Sequence, residues 1–430
     1  MRFKTLKLTL VCFALLASSV MAQTFSGRVT SSFYAYERSD SIDNTSTHAR
    51  GYQGFQFDFR TKNILLRTFG QINSDFNTTL DGDGALRMYN LYLQWRNIAN
   101  RIDVKLGRQP IFGGISSGTF DGGLIQVKAT KWLKFKAFGG GLLPDTQEMK
   151  LIDDLDKNFL MGGQVSYLPN DDLQLNASYN LKRQNRLGYN TRRADEYGNV
   201  FTTFIEPREQ EYQLVSLDGY WRAKRDLTFF TRHDFDLNFD QLTRSEFNVN
   251  AAVNEKISLT GTYLFRSPLL PANSIFSVFN VANNSEIEAG VNYRLNQQMS
   301  IYFNSAAIMY DSDNSMRATV GCTRGNNSVQ YFLRRGYAGV MDGVNLSSWY
   351  PMLAGKLMPN LMISWAKYKI DENVEDSINL FSGSLGVTYK PVRSISVSSQ
   401  VYLLSNKYYE KDYRFLMRLQ YWFFLRGNKS

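Results

Sequence analysis

From Phe25 to Phe424 the chain keeps returning to stretches of about ten residues in which apolar and polar side chains alternate. Phe55-Gln56-Phe57-Asp58-Phe59-Arg60 is one such stretch. Successive strand side chains point to opposite faces, so Phe55, Phe57 and Phe59 share one surface while Gln56, Asp58 and Arg60 share the other. A soluble sandwich uses similar strands. Here the pattern follows a secretory leader and fills nearly all of the remaining chain, which predicts a closed barrel with an apolar outside and a wet inside.

The breaks between alternating stretches fall into two sets. One set is tight and built from turn-forming residues: 61–63, 97–101, 168–172, 254–256, 296–298, 324–327, 359–360 and 390–393. The other is mostly longer and more polar: 38–50, 75–84, 109–118, 143–157, 184–209, 267–284, 336–349 and 369–377. This asymmetry predicts an all-β, antiparallel up-and-down transmembrane barrel of about 22 strands, with roughly 16 as the lower limit. Short turns are assigned to the periplasm and long loops to the outside. The outer connections near Phe239–Val253 and Asp311–Thr323 are brief, and merging strands there would lower the count toward roughly 18.

On the apolar face, the last residue before a short turn is repeatedly aromatic: Phe59, Trp95, Tyr167, Trp221, Tyr293 and Tyr389. Rings at that depth form an interfacial girdle. The final strand places Tyr413, Phe415, Met417, Leu419, Tyr421 and Phe423 outward, with Arg414, Arg418 and Gln420 inward. It resembles the aromatic-ended strand recognised by the outer-membrane assembly machinery, although Leu425–Ser430 continue beyond the last Phe.

The first residues combine a basic start (Arg2, Lys4, Lys7), an apolar run (Leu8–Ala17) and a small-residue site at Val20-Met21-Ala22. Residues 1–22 therefore read as a signal peptide and 23–430 as the barrel. The first strand follows cleavage directly, so no plug domain is expected. Cys12 leaves with the leader, and Cys322 alone cannot form an intrachain disulfide. The formal charge is +10, including the leader's cations, and 14% of the residues are aromatic. The cations are dispersed on alternating positions without a basic block, which argues against nucleic acid as a partner.

Read in register, the polar face carries Arg60, Arg67, Lys105, Lys134, Lys136, Lys182, Arg232, Arg294, Arg317, Arg334, Arg414 and Arg418. Against them stand Asp58, Asp103, Asp218, Asp234, Asp236, Glu286 and Glu288. Inward charges line any watery lumen, and the excess of cations predicts a preference for anions.

Leu106-Gly107-Arg108-Gln109-Pro110-Ile111-Phe112-Gly113-Gly114, followed by Phe120-Asp121-Gly122-Gly123, links the fifth and sixth predicted strands. Gly-Arg-Gln with Phe-Asp-Gly resembles the strand ends of alginate-export and related substrate-selective porins. Pro-Ile-Phe-Gly-Gly is similar to the Pro-Glu-Phe-Gly-Gly loop of general porins, with Ile111 in place of the acid. The resemblance implies that Arg108, Gln109 and Asp121 sit near a constriction where the loop folds inward; it also implies a homotrimer. The alternative is that the glycines only shape an outer turn and Arg108 caps a strand end. The outer loops 184–209 and the apolar 267–284 are further candidates to obstruct the lumen, and the acidic 143–157 suits solvation or bridging to lipopolysaccharide.

Catalysis finds little support. His48 falls in the first long outer loop, and His233 lies in register with Phe229 and Phe235 on the lipid face. A barrel phospholipase has its serine two residues after the histidine; that position is Phe235. No metal-ligand spacing occurs and no cofactor is implied. The expectation is an outer-membrane porin, in contact with lipid and lipopolysaccharide, for small polar and anionic solutes. Export of an acidic polysaccharide and a non-conducting scaffold or adhesin are the alternatives.

Overall fold

A computed structural model describes residues 24–426, apart from 42–43, 78–85, 145, 187, 195–199, 206–207, 270–282, 311–312, 338, 370–375 and 408–410. The leader and most of the apolar loop 267–284 thus lie outside the described residues, where every regular element is a strand. In chain order these are β1 (Thr24–Ser41), β2 (Asn44–Arg60), β3 (Ile64–Asp75), β4 (Leu86–Ile98), β5 (Ile102–Gly113), β6 (Ser116–Lys128), β7 (Leu133–Leu142) and β8 (Phe159–Tyr167). There follow β9 (Leu173–Arg186), β10 (Tyr189–Ala194), β11 (Val200–Ile205), β12 (Arg208–Lys224), β13 (Leu227–Asp236), β14 (Gln241–Ala252), β15 (Ile257–Arg266) and β16 (Asn284–Arg294). The last are β17 (Met299–Tyr310), β18 (Asn314–Arg324), β19 (Asn327–Gly336), β20 (Val340–Trp349), β21 (Leu357–Lys369), β22 (Ile378–Val392), β23 (Ile395–Ser405) and β24 (Asp412–Arg426).

Each strand pairs antiparallel with its neighbours, β9 pairs with β12, and β24 returns to β1 from Thr24↔Arg426 to Tyr36↔Arg414. The result is a closed, 22-stranded antiparallel barrel. The separate hairpin β10–β11 rises from the longest outer connection. Closure satisfies every strand edge, which is the condition for a sheet surrounded by hydrocarbon.

Register carries the alternation from strand to strand. Phe57 stands opposite Gly27 and Thr68, while its neighbour Asp58 stands opposite Ser26 and Arg67. Large apolar side chains such as Leu93, Leu217, Phe247, Ile287 and Leu385 are exposed on one face, and the polar set lines the other. The apolar face is the outside. Arginine at Leu93 is expected to lower unfolding free energy in detergent or lipid by about 2–4 kcal/mol, whereas arginine at Gln94, one residue on and inward, is expected to change it little.

At one end every connection is short, from two residues at 225–226 to seven at 350–356; all the longer ones lie at the other end, beside brief ones such as 114–115 and 237–240. Some boundaries differ from the sequence expectation: the connection expected at 109–118 shrinks to 114–115, because β5 runs to Gly113 and β6 starts at Ser116. Residues 38–50 belong largely to β1 and β2, whose backbones pair there as a hairpin that extends the wall. Residues 340–349 form β20, Pro359-Asn360 lie within β21, and the turn between them is 350–356. The outward register of β20 contains Asp342, which hides its alternation; the carboxylate is taken up by Arg335 at 2.7 Å and by the Tyr331 hydroxyl at 2.5 Å. Finally, β14 and β18 are separate strands despite their brief outer connections, so the lower counts fall away.

A candidate constriction inside the barrel

The inner surface is interrupted where β5 meets β6. Gly114-Ile115 form the tip, with φ of +122° at Gly113 and +59° at Gly114. The Ile115 N–H donates to Ser178 Oγ at 2.9 Å, and Ser116 Oγ donates to Asn180 Oδ1 at 3.2 Å. Ser178 and Asn180 lie on the inner register of β9, opposite Ser216 and Leu214. Three strand spacings, roughly 14 Å, separate β6 from β9 along the wall. The tip reaches β9 only by leaving the wall and crossing the inner faces of β7 and β8.

Local sequence makes this bend accessible. Gly122 and Gly140 face one another across β6 and β7, and a Cβ on either would overlap the other's backbone. The Gly114 position is equally intolerant: a Cβ would overlap Ser178 Oγ, in a left-handed conformation that L side chains disfavour. Under the hairpin, Ile111 and Phe120 pack on Leu124, Phe138, Leu142 and Leu160, all nearly inaccessible to solvent. The Phe120 and Phe138 ring centroids are 5.8 Å apart. An apolar cluster on the wet face of a barrel is stable only when covered, and burying each such side chain contributes about 1.5–3 kcal/mol.

The three residues expected at the aperture separate. Gln109 is inward and fully buried, its amide donating to the carbonyl oxygens of Gly122 at 3.0 Å and Lys105 at 3.3 Å. Arg108 and Asp121 pair with each other on the opposite register, alongside Leu91 and Gly141, and so do not line the lumen. Their ion pair is bidentate, Nε–Oδ1 2.8 Å and Nη2–Oδ2 2.7 Å. The remaining guanidinium protons reach the carbonyls of Met88 (3.1 Å), Gln147 (3.2 Å), Glu148 (2.7 Å) and Lys150 (3.2 Å). Arg108 therefore fastens the connection 143–158 over the base of the hairpin.

The inward cations differ in how far carboxylates occupy them. Arg67 pairs with Asp58 at 2.5 Å, Arg232 with Asp234 at 2.9 Å and Arg414 with Asp412 at 2.6 Å, while Arg317 is held by Glu286 and Glu288. Among the described residues, Arg60, Lys105, Lys134, Lys136, Arg294, Arg334 and Arg418 have no carboxylate partner. Lys105, Lys134 and Lys136 lie on β5 and β7, below the hairpin; Lys105 Nζ stands 5.5 Å from the Tyr92 ring centroid. Arg96 and Lys128 join them on the inner register, as counting outward from Trp95 and Val127 would have shown. On this wall Asp58 is held by Arg67, and Asp103 accepts from the Asn97 N–H at 2.7 Å. Arg60 and Arg294 stand at the short-turn end, and Arg334 lies opposite Arg317. The six aromatic residues Phe59, Trp95, Tyr167, Trp221, Tyr293 and Tyr389 all face outward at that same end.

Both histidines have partners that the sequence did not disclose. His48 is in β2, inward and buried, rather than in a loop. His233 faces outward between Thr231 Oγ1 (2.9 Å from Nε2) and Ser245 Oγ (3.1 Å from Nδ1). Thr231 donates its own proton to the Glu246 carbonyl at 3.1 Å. A strand search along β13 misses this serine because it lies across the ladder on β14.

No protein-family model matches the chain, and no curated protein is similar to it in sequence. Solved structures do resemble it. A mutant of the ferric enterobactin receptor PfeA from Pseudomonas aeruginosa aligns over 94% of this chain and 81% of that chain, with a TM-score of 0.57 and 11% identity. The copper transporter OprC aligns over 92% and 80%, with a TM-score of 0.55 and 10% identity. A weaker likeness, TM-score 0.43 at 7% identity over 94% of this chain and 99% of that one, is to the outer membrane protein opdK from Pseudomonas aeruginosa. At such identities the likeness is one of fold. The chain is a barrel of the outer-membrane type.

Proposed function

We propose that the barrel is a passive outer-membrane channel for small polar solutes, with a preference for anions. The supporting observation is the cluster of Arg96, Lys105, Lys128, Lys134 and Lys136 on the inner wall below the hairpin, where Arg67 takes up Asp58 and the five cations outnumber the remaining nearby carboxylates Asp103 and Asp218. Unpaired cations along a narrow wet path lower the entry cost of anions and raise that of cations. The wall formed by β12–β16 is more balanced, since Arg232, Arg244 and the Asp234, Glu246 carboxylates pair among themselves. The hairpin narrows the lumen beside this cluster.

Reversal potentials in planar bilayers under a potassium chloride gradient test this reading. Wild type is expected on the anion-selective side, and Lys105→Glu/Lys136→Glu is expected to shift the permeability ratio toward cations by about threefold or more. A cation-selective wild type, or a double variant without effect, would overturn it.

A further inference from the structure

A second feature of the inner face lies away from the hairpin, on β24, β1 and β2 near the long-loop end. Tyr36 stands opposite His48 on one side and Arg414 on the other, and Tyr34 stands opposite Arg50. Tyr34 and Tyr36 stack with centroids 4.8 Å apart and planes 20° apart, and Tyr36 continues the stack onto His48 at 5.5 Å and 22°. One row below, Tyr52 lies under the Arg50 guanidinium, 5.6 Å from its ring centroid. Aromatic rings gathered on the wet side of a barrel gain nothing from lipid, so the usual account of barrel aromatics does not cover them.

The cations of this patch are of two kinds. Arg50 and Arg414 are fixed by Asp75 and Asp412, and act as struts for the stack. Arg418 faces inward opposite Ser32, in the same row as Tyr52, and has no carboxylate partner among the described residues. Its row is one removed from that of Tyr34, roughly 7 Å along the wall, and two removed from that of Tyr36. His48 adds an unfilled position: its Nε2 meets Ser46 Oγ at 3.1 Å, while Nδ1 is buried without a hydrogen-bond partner among the described residues.

We propose that this patch is a binding subsite for small aromatic carboxylates. A planar ring extends the parallel stack of Tyr34, Tyr36 and His48, and its carboxylate takes the fork of Arg418, the geometry in which guanidinium groups hold carboxylates best. Charge alone does not require the stack, and ring burial alone does not require the free guanidinium. Their coincidence selects both properties in one solute. The proposal rests on the reading of the inner face as a solute path.

Calorimetric titration of the full-length protein in detergent tests it without relying on conduction. Benzoate is the probe, with cyclohexanecarboxylate as a non-planar ring of the same charge and acetate as the charge alone. Benzoate is expected to bind at least about fivefold more tightly than either. Arg418→Gln is expected to weaken benzoate about tenfold, and Tyr34→Leu, which keeps an apolar side chain at the end of the stack nearest Arg418, to remove the preference for benzoate over cyclohexanecarboxylate. Equal binding of the three acids, or benzoate affinity unchanged in Arg418→Gln, overturns the subsite. An anion-selective pore that fails this titration would retain the channel and lose the subsite; a non-conducting barrel that passes it would do the reverse.

Discussion

Excising the hairpin tip, residues 112–117, and rejoining the ends through two glycines is expected to raise single-channel conductance by about twofold or more. The reason is geometric. A closed sheet of 22 strands encloses a wide lumen, and the β5–β6 hairpin leaves the wall and lies inside it, over the inner faces of β7 and β8. The excision leaves Ile111 and Phe120 in place over Leu124, Phe138, Leu142 and Leu160 but removes the anchors of Ile115 and Ser116 on β9, so resistance to denaturant is expected to fall only modestly while the barrel still forms. Gly114→Val separates the two effects. It keeps the chain length but places a β-branched side chain at φ +59° against Ser178, so the tip is expected to detach and return, giving a flickering current between the wild-type and excised levels. Unchanged conductance in both variants would show that the hairpin does not limit flow.

How much of this was legible in the sequence follows from what period two can encode. Alternation specifies the face of each residue, so Phe59, Trp95 and Tyr389 were placed on the outside, and Lys105 and Lys136 on the inside, before any coordinates. Register across strands is a different quantity, fixed by pairing between segments far apart in sequence. The Tyr36–His48 stack, the His233–Ser245 bond and the reach of Ile115 to Ser178 are all such contacts. Parity counted from inward Lys105 puts Arg108 on the outer register, where the structure has it; the resemblance of Gly-Arg-Gln to a constriction loop, and not the alternation, moves it to the aperture. The glycines of that stretch bend inward at Gly113 and Gly114, one of the two readings the sequence left open. Asp342 misled for the opposite reason, since a carboxylate neutralised on the outer rim looks in sequence like the end of a strand.

Arg108 gives the sharpest contrast between the two readings. Were it an aperture residue, Arg108→Ala would shift ion selectivity and leave stability untouched. In the structure its side chain is 6% exposed and that of Asp121 10%, so the substitution strands a buried carboxylate and leaves the Glu148 and Lys150 carbonyls without this donor. Removing one partner of such a pair costs about 3–5 kcal/mol, because the remaining charge is desolvated without compensation. Arg108→Ala is therefore expected to lower the urea midpoint of the detergent-solubilised protein sharply and to make the connection 143–158 cleavable by added protease, while the reversal potential moves less than in Lys105→Glu/Lys136→Glu. Arg108→Met/Asp121→Leu removes both charges and is expected to recover most of the stability, since replacing a buried pair by apolar groups of similar volume is often close to neutral. The loop would remain protease-sensitive in that double variant, because leucine and methionine cannot donate to the carbonyls of Gln147, Glu148 and Lys150. Recovery of stability without recovery of loop protection would assign to Arg108 two separable tasks, neutralising Asp121 and holding the outer connection against the hairpin base.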